Sequence, residues 1–115
     1  MARTHRFACT TRWTGADRGP ILSYDDYSRD HMIEIAGKPA LACSADGTFL
    51  GDSSRHNPED LLVAALSACH LLSYLAFCAR AGVAVVAYED AAEGTMTVRD
   101  RRMRFTEVVL RPRVA

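Results

Sequence analysis

The sequence has no surplus of charge: 14 Lys and Arg stand against 14 Asp and Glu, and the pI is near 6.9. Balanced charge removes any global electrostatic reason to bind nucleic acid or an acidic membrane surface. Cysteine is sparse and unpaired in pattern. Cys9, Cys43, Cys69 and Cys78 form no CxxC, so neither a zinc ribbon nor a thioredoxin-like redox motif is present. No continuous apolar segment follows Met1-Ala2-Arg3-Thr4-His5-Arg6, which leaves no secretory signal and makes the cytoplasm the expected address. There the four thiols would rest reduced. No internal repeat, low-complexity tract or internal domain boundary is visible, and 115 residues with 49% hydrophobic content fit a single domain over 1–115.

What the chain does have is one long apolar run, Leu61 to Ala79 (LLVAALSACHLLSYLAFCA). It is nearly long enough to span a bilayer. Ser67, His70 and Ser73 in its middle, and strand-and-turn patterns on both sides, argue for a soluble domain instead. Helix signals precede it: Asn57 at the N-cap, Pro58 at the first helical position, then Glu59 and Asp60 where the positive end of the helix dipole favours acids. Gly82 supplies the stop. A helix apolar almost all the way round is more than a chain of this size can bury by itself, so the pattern implies a homodimer.

Around the helix, Phe7, Cys9, Thr11 and Trp13 alternate with Arg6, Ala8, Thr10 and Arg12, the two-residue period of a strand. Thr14 to Pro20 is a turn. Further strands are predicted over Ile21–Tyr24 and Met32–Ile35, which with the first would make an antiparallel meander, and over Ala40–Ser44; Gly51 to His56 is a polar linker. Beyond the helix, Val83–Tyr88 and Thr95–Val98 flank a break at Gly94, and Met103–Leu110 follows the turn Arg99-Asp100-Arg101-Arg102. That arginine cluster carries its own acid and suits a solvated hairpin turn better than a phosphate site. Strands, long helix, strands is the order of an α+β domain with the helix packed on an antiparallel sheet.

Three segments together resemble the osmotically inducible protein C and organic hydroperoxide resistance (OsmC/Ohr) family: Asn57-Pro58-Glu59-Asp60-Leu61-Leu62, Ala64-Ala65-Leu66-Ser67-Ala68-Cys69-His70, and Tyr88 to Met96. The resemblance implies an intertwined homodimer and thiol peroxidase chemistry on organic hydroperoxides or peroxide, as in oxidative-stress defence. In that chemistry the helix cysteine is oxidised first and a second cysteine forms a disulfide with it, while an arginine and a glutamate assist. It assigns Cys69 as the reactive thiol and Glu59, by its place in the Asn-Pro-Glu motif, as the glutamate. No cofactor and no metal is expected. The reductant it implies is a dithiol, such as a lipoylated protein, or a small thiol. The family's resolving cysteine lies on a second helix near the C-terminus, whereas this chain stops at Val114-Ala115 directly after a predicted strand. A shortened form, resolution by an external thiol, or lost turnover would each account for that.

The chemistry sets demands on the site. A thiolate is the nucleophile, and an unassisted thiol of pKa about 8.5 in apolar surroundings stays protonated, so a cation must lie beside Cys69. The helix dipole fades within its first turn and cannot supply it. Arginine keeps its charge when desolvated and can hold a thiolate and a carboxylate together. Arg18 is the first choice, because Thr14-Gly15-Ala16-Asp17-Arg18-Gly19 resembles the arginine-bearing loop of the hydroperoxide-resistance branch; Arg29 and Arg55 are alternatives. Glu59 and Cys69 are ten residues apart, about 15 Å along a straight helix. One guanidinium cannot bridge that within a subunit, so the Glu59 and arginine serving Cys69 are expected from the other subunit.

His70 beside Cys69 points about 100° away around the helix and is expected to pack or face a partner, not to form a Cys–His dyad. Cys69, His70 and Cys78 do not converge on a metal. Cys78 is about 13 Å along the helix from Cys69, too far for a disulfide, and is read as core. Cys9 and Cys43 on strands are read as small hydrophobes. Leu66, Leu72, Ser73, Tyr74 and Phe77 are the expected lining of an apolar pocket and dimer core. The competing function is a non-catalytic dimer acting as a redox sensor or apolar-ligand binder; a cysteine hydrolase lacks a histidine placed by any motif.

Overall fold

The computed structural model describes residues 3–115; Met1 and Ala2, read above with the N-terminal segment, lie outside them. The chain divides into two compact units that meet at the Pro58–Glu59 bond. Among the described residues the secondary structure is α+β, with one long helix and three small antiparallel sheets.

The first unit holds β1 (Thr10–Trp13), β2 (His31–Glu34) and β3 (Leu41–Cys43) in one sheet of order β1-β2-β3. β1 pairs directly with β2, from Thr10 opposite Glu34 to Trp13 opposite His31. The meander therefore takes its third strand from 41–43, and Ile21–Tyr24 is not a strand. That segment follows Pro20 and enters a turn in which Asp26 N–H donates to the Ser23 carbonyl. Its carbonyl at Tyr24 is taken by the Arg29 guanidinium, which closes the loop on itself and leaves no ladder partner. A short apolar stretch without polar alternation does not fix a strand, and this one forms a loop. β1 is also shorter than its alternation predicts. β2 ends at Glu34, so among the described residues nothing pairs with residues 7–9, and both Phe7 and Cys9 are exposed. Cys9 is thus neither on a strand nor packed.

Between β3 and the helix, the segment read as a polar linker is a stapled loop. Cys43 bridges His56 in parallel, Ser44 N–H donates to the His56 carbonyl (2.9 Å), and the Ser44 hydroxyl accepts from Asp52 N–H (3.0 Å). Asp46 starts a short 3₁₀ turn, Gly47–Phe49, and its carboxylate accepts from Thr48 N–H. Cys43 and Ser44 are fully buried.

The second unit is built on α1, Pro58–Ala81, 24 residues without interruption. The helix starts at the proline that the motif marks and stops where Gly82 turns left-handed (φ 72°). There Val83 N–H donates to the Cys78 carbonyl and Gly82 N–H to that of Ala79, the paired bonds of a Schellman cap. Val83–Ala87 does not form the predicted strand: Val83 N–H belongs to the helix cap, while Val86 and Ala87 N–H donate to the Ala115 carbonyl and the Ala87 carbonyl accepts from Ala115 N–H, leading into β4 (Tyr88–Asp90).

β5 (Glu93–Arg99) and β6 (Arg102–Val109) form a hairpin, and β4 pairs with β7 (Pro112–Val114). The hairpin turn is the arginine cluster. Asp100 (φ 51°) and Arg101 (φ 65°) are both left-handed, as a two-residue turn matching the strand twist requires. A bulge at Thr106 shifts the ladder between Thr95 and Met96.

Gly94 does not break β5; it sits inside it for a steric reason. A Cβ there would lie 2.6 Å from Val63 Cγ2 of α1 and 2.8 Å from Phe105 of β6. Gly94→Ala is therefore expected to destabilise by about 1–3 kcal/mol through overpacking, read as a fall in Tm by thermal denaturation.

Candidate functional site

Turning about 100° per residue, α1 divides into two faces of different character. On one, Ser67, His70, Tyr74 and Cys78 form a half-buried stripe. Ser67 Oγ donates to Asp90 Oδ2 (2.6 Å), and His70 Nδ1 meets the Tyr88 hydroxyl at 2.5 Å. Tyr74 stacks on His70 (5.9 Å between ring centres) and lies 6.0 Å from Tyr88. The Cys78 thiol one turn further on, acting through hydrogen bonding ahead of charge, and then burial, pushes the Tyr74 phenol above its usual pKa. Burial, then the charge of Asp90, does the same for Tyr88, so its hydroxyl keeps its proton. Asp90 is braced in turn: its Oδ1 accepts from Arg111 N–H at 2.6 Å.

The other face is open. Cys69 lies at its centre, exposed, with Ala65, Leu66, Leu72 and Ser73 one turn to either side, all exposed. Leu72 and Phe77 are 67% and 73% exposed, and no residue of α1 is buried. By length and composition alone the helix could cross a membrane, with a mean hydropathy of 2.0 over its most apolar stretch.

The predicted residues take definite places on this frame. His70 is engaged with Tyr88 and turned from Cys69, as its angular position requires. Tyr74 belongs to the bonded stripe, not to the open face with Leu66 and Phe77. Cys78 is half-buried beside it, and Cys43 is fully buried in β3. Glu59 is half-buried in the first turn, and its Oε2 is enclosed without a hydrogen-bond partner among the described residues. A carboxylate oxygen in that state is costly unless a donor reaches it. The uninterrupted helix keeps Glu59 about 15 Å from Cys69 within the chain.

The three arginines differ in what already holds them. Arg29 donates to the carbonyls of Tyr27 and Tyr24 and lies 3.6 Å over the Tyr27 ring, so it is committed to its own loop. Arg55 stands between Asp30 (3.8 Å) and Asp52 (3.9 Å), with Nη1 enclosed and unpartnered among the described residues. Arg18 ends the 3₁₀ turn Gly15–Arg18, exposed, at the edge of a cleft of about 280 Å³ that Leu22, Asp25 and Tyr27 also line.

Ser67, Tyr88 and Asp90 are partners that sequence reasoning did not single out. Ser67, His70, Tyr74 and Cys78 recur at intervals of three and four, a polar stripe inside an apolar run, and that spacing was the available signal.

Comparison with known proteins gives no match among curated sequences. One solved structure, an OsmC-like protein of unknown function from Vibrio cholerae O1 biovar eltor, is 30% identical, with a TM-score of 0.85 over 97% of this chain and 75% of that one. The family model for OsmC-like proteins matches residues 51–115, the stretch that holds α1, its two faces and the strands bonded to it. With the family model matched over more than half of the chain and a 30% identical structure superposing on nearly all of it, the chain belongs to the OsmC-like protein family.

Proposed function

We propose that the protein is a thiol-dependent peroxidase that reduces organic hydroperoxides or peroxide in the cytoplasm, as a homodimer, in defence against oxidative stress. The observation that carries this reading is the position of Cys69, a thiol at the centre of the open apolar face of α1 in a chain of this family. A second copy packed on that face would line the thiol with apolar surface while leaving an approach by which a hydroperoxide, or another small reagent, reaches the sulfur. The enclosed Glu59 Oε2 supports it too, since it lacks the donor that an arginine near the Cys69 of the other protomer would provide.

In the proposed reaction the Cys69 thiolate attacks one oxygen of ROOH. The O–O bond breaks, RO⁻ leaves and takes a proton as ROH, and sulfur is oxidised to the sulfenic acid. One thiol of an external dithiol then displaces water to form a mixed disulfide. Its second thiol closes the dithiol's own disulfide and expels the Cys69 thiolate. Arginine holds the sulfur ionised and Glu59 orients the arginine. Arg18 is assigned that role, because Arg29 is committed to its loop and two carboxylates attend Arg55.

A redox sensor or apolar-ligand binder is the second reading. Cys78 favours it, being about 13 Å along an uninterrupted helix from Cys69 and unable to resolve it within the chain. Consumption of cumene hydroperoxide with excess dithiol separates the readings. Sustained turnover is expected; one stoichiometric oxidation would mean a sensor, and no reaction a binder. Arg18→Ala is expected to slow Cys69 oxidation roughly a hundredfold. The same loss in Arg55→Ala with Arg18→Ala unaffected would move the role to Arg55.

A further inference from the structure

α1 is apolar on nearly every side, so hydrophobic burial alone specifies poorly which face meets the strands. Directional bonds have to choose. Two do so, Ser67 to Asp90 and His70 to Tyr88, at 2.6 and 2.5 Å. Ser67 and His70 are three residues apart, stacked on one side of the helix; Tyr88 and Asp90 are two apart, on one face of β4. A slip of one turn along the strand would break both bonds, and rotation by one residue would replace Ser67 with Ala68 or Leu66, neither of which can donate. Asp90 cannot follow such a shift, because Arg111 N–H holds its other oxygen. Matched polar pairs of this kind contribute register more than stability.

We infer that Ser67, His70, Tyr88 and Asp90 are positioning residues that set the rotation of α1, so that the Cys69 sulfur is presented to the open face while Cys78 is kept against the strands. The inference deepens the peroxidase reading and relies on it only for the use to which the presented sulfur is put. Loss of both bonds lets the helix turn, which moves Cys69 and Cys78 in opposite senses.

The test is alkylation of the intact protein with iodoacetamide under native conditions, each cysteine quantified by mass spectrometry, with exposed Cys9 as internal reference and buried Cys43 as a check on unfolding. In Ser67→Ala/Tyr88→Phe the Cys69:Cys78 labelling ratio is expected to fall at least tenfold while Cys43 stays protected. Ser67→Thr, which keeps the hydroxyl, should retain the native ratio. A merely structural role would raise both rates together and leave the ratio unchanged, and that result overturns the inference. If the double variant unfolds, the single variant Tyr88→Phe decides by the same ratio. The readout involves no peroxide, so a wild-type protein without turnover would sink the peroxidase reading and leave this one standing.

Discussion

Cys69→Ser is expected to reduce cumene hydroperoxide consumption to the rate of the dithiol alone. A serine hydroxyl at the same place cannot be held ionised near neutral pH or become a sulfenic acid, so the loss should be complete, not partial. Cys78→Ser and Cys9→Ser should leave turnover within about twofold, because one thiol is half-buried on the opposite side of α1 from Cys69 and the other lies outside the helix altogether. The measurement is initial rate against peroxide concentration, paired with mass spectrometry after one equivalent of peroxide. An added oxygen on Cys69 trapped by dimedone is the expected product. Peroxidase activity surviving in Cys69→Ser would remove this thiol from the chemistry.

The second large effect is on assembly. Leu72 and Phe77 are mostly exposed on α1, beside Cys69, and the homodimer proposed above covers them. Burying a leucine contributes about 1.5–3 kcal/mol, and a two-fold interface uses each position twice. Leu72→Asp forfeits that and adds a carboxylate to a dry surface, so the dimerisation constant should weaken by roughly 10² to 10⁴-fold. Sedimentation velocity should find wild type as a dimer and the variant as monomer or aggregate. An unchanged dimer would place the interface elsewhere. Cosedimentation of the wild type with phosphatidylcholine vesicles would instead give the face to a bilayer.

The long helix was legible residue by residue because its signals are local. Pro58 and Gly82 mark its two ends in the sequence as in the structure, and the Arg99 to Arg102 turn carries its acid at the position that adopts a left-handed conformation. Gly94 was misread because a glycine looks the same whether it ends a strand or admits a neighbour. The neighbour here is Val63, 31 residues away in the chain, and no local pattern announces it. Ile21–Tyr24 failed for a related reason: its apolar residues suggested a strand, but a strand needs a partner and the Arg29 guanidinium had already taken its carbonyl. Of the candidate site, the motif gave Cys69 and Glu59 places on the helix. The bonds from Ser67 to Asp90 and from His70 to Tyr88 join residues 23 and 18 apart, and only the folded chain reveals them.

The stapled loop between β3 and α1 bears on the order of folding. Its contacts run from Cys43 to His56, close in sequence, so little chain entropy opposes their closure. Contacts of that kind form early and without help from a second molecule. The helix that follows has no buried residue of its own, and under the proposed dimer its cover waits for a second chain. On that proposal a nascent chain would carry a closed loop and a still uncovered apolar helix, and that interval is when aggregation threatens it most.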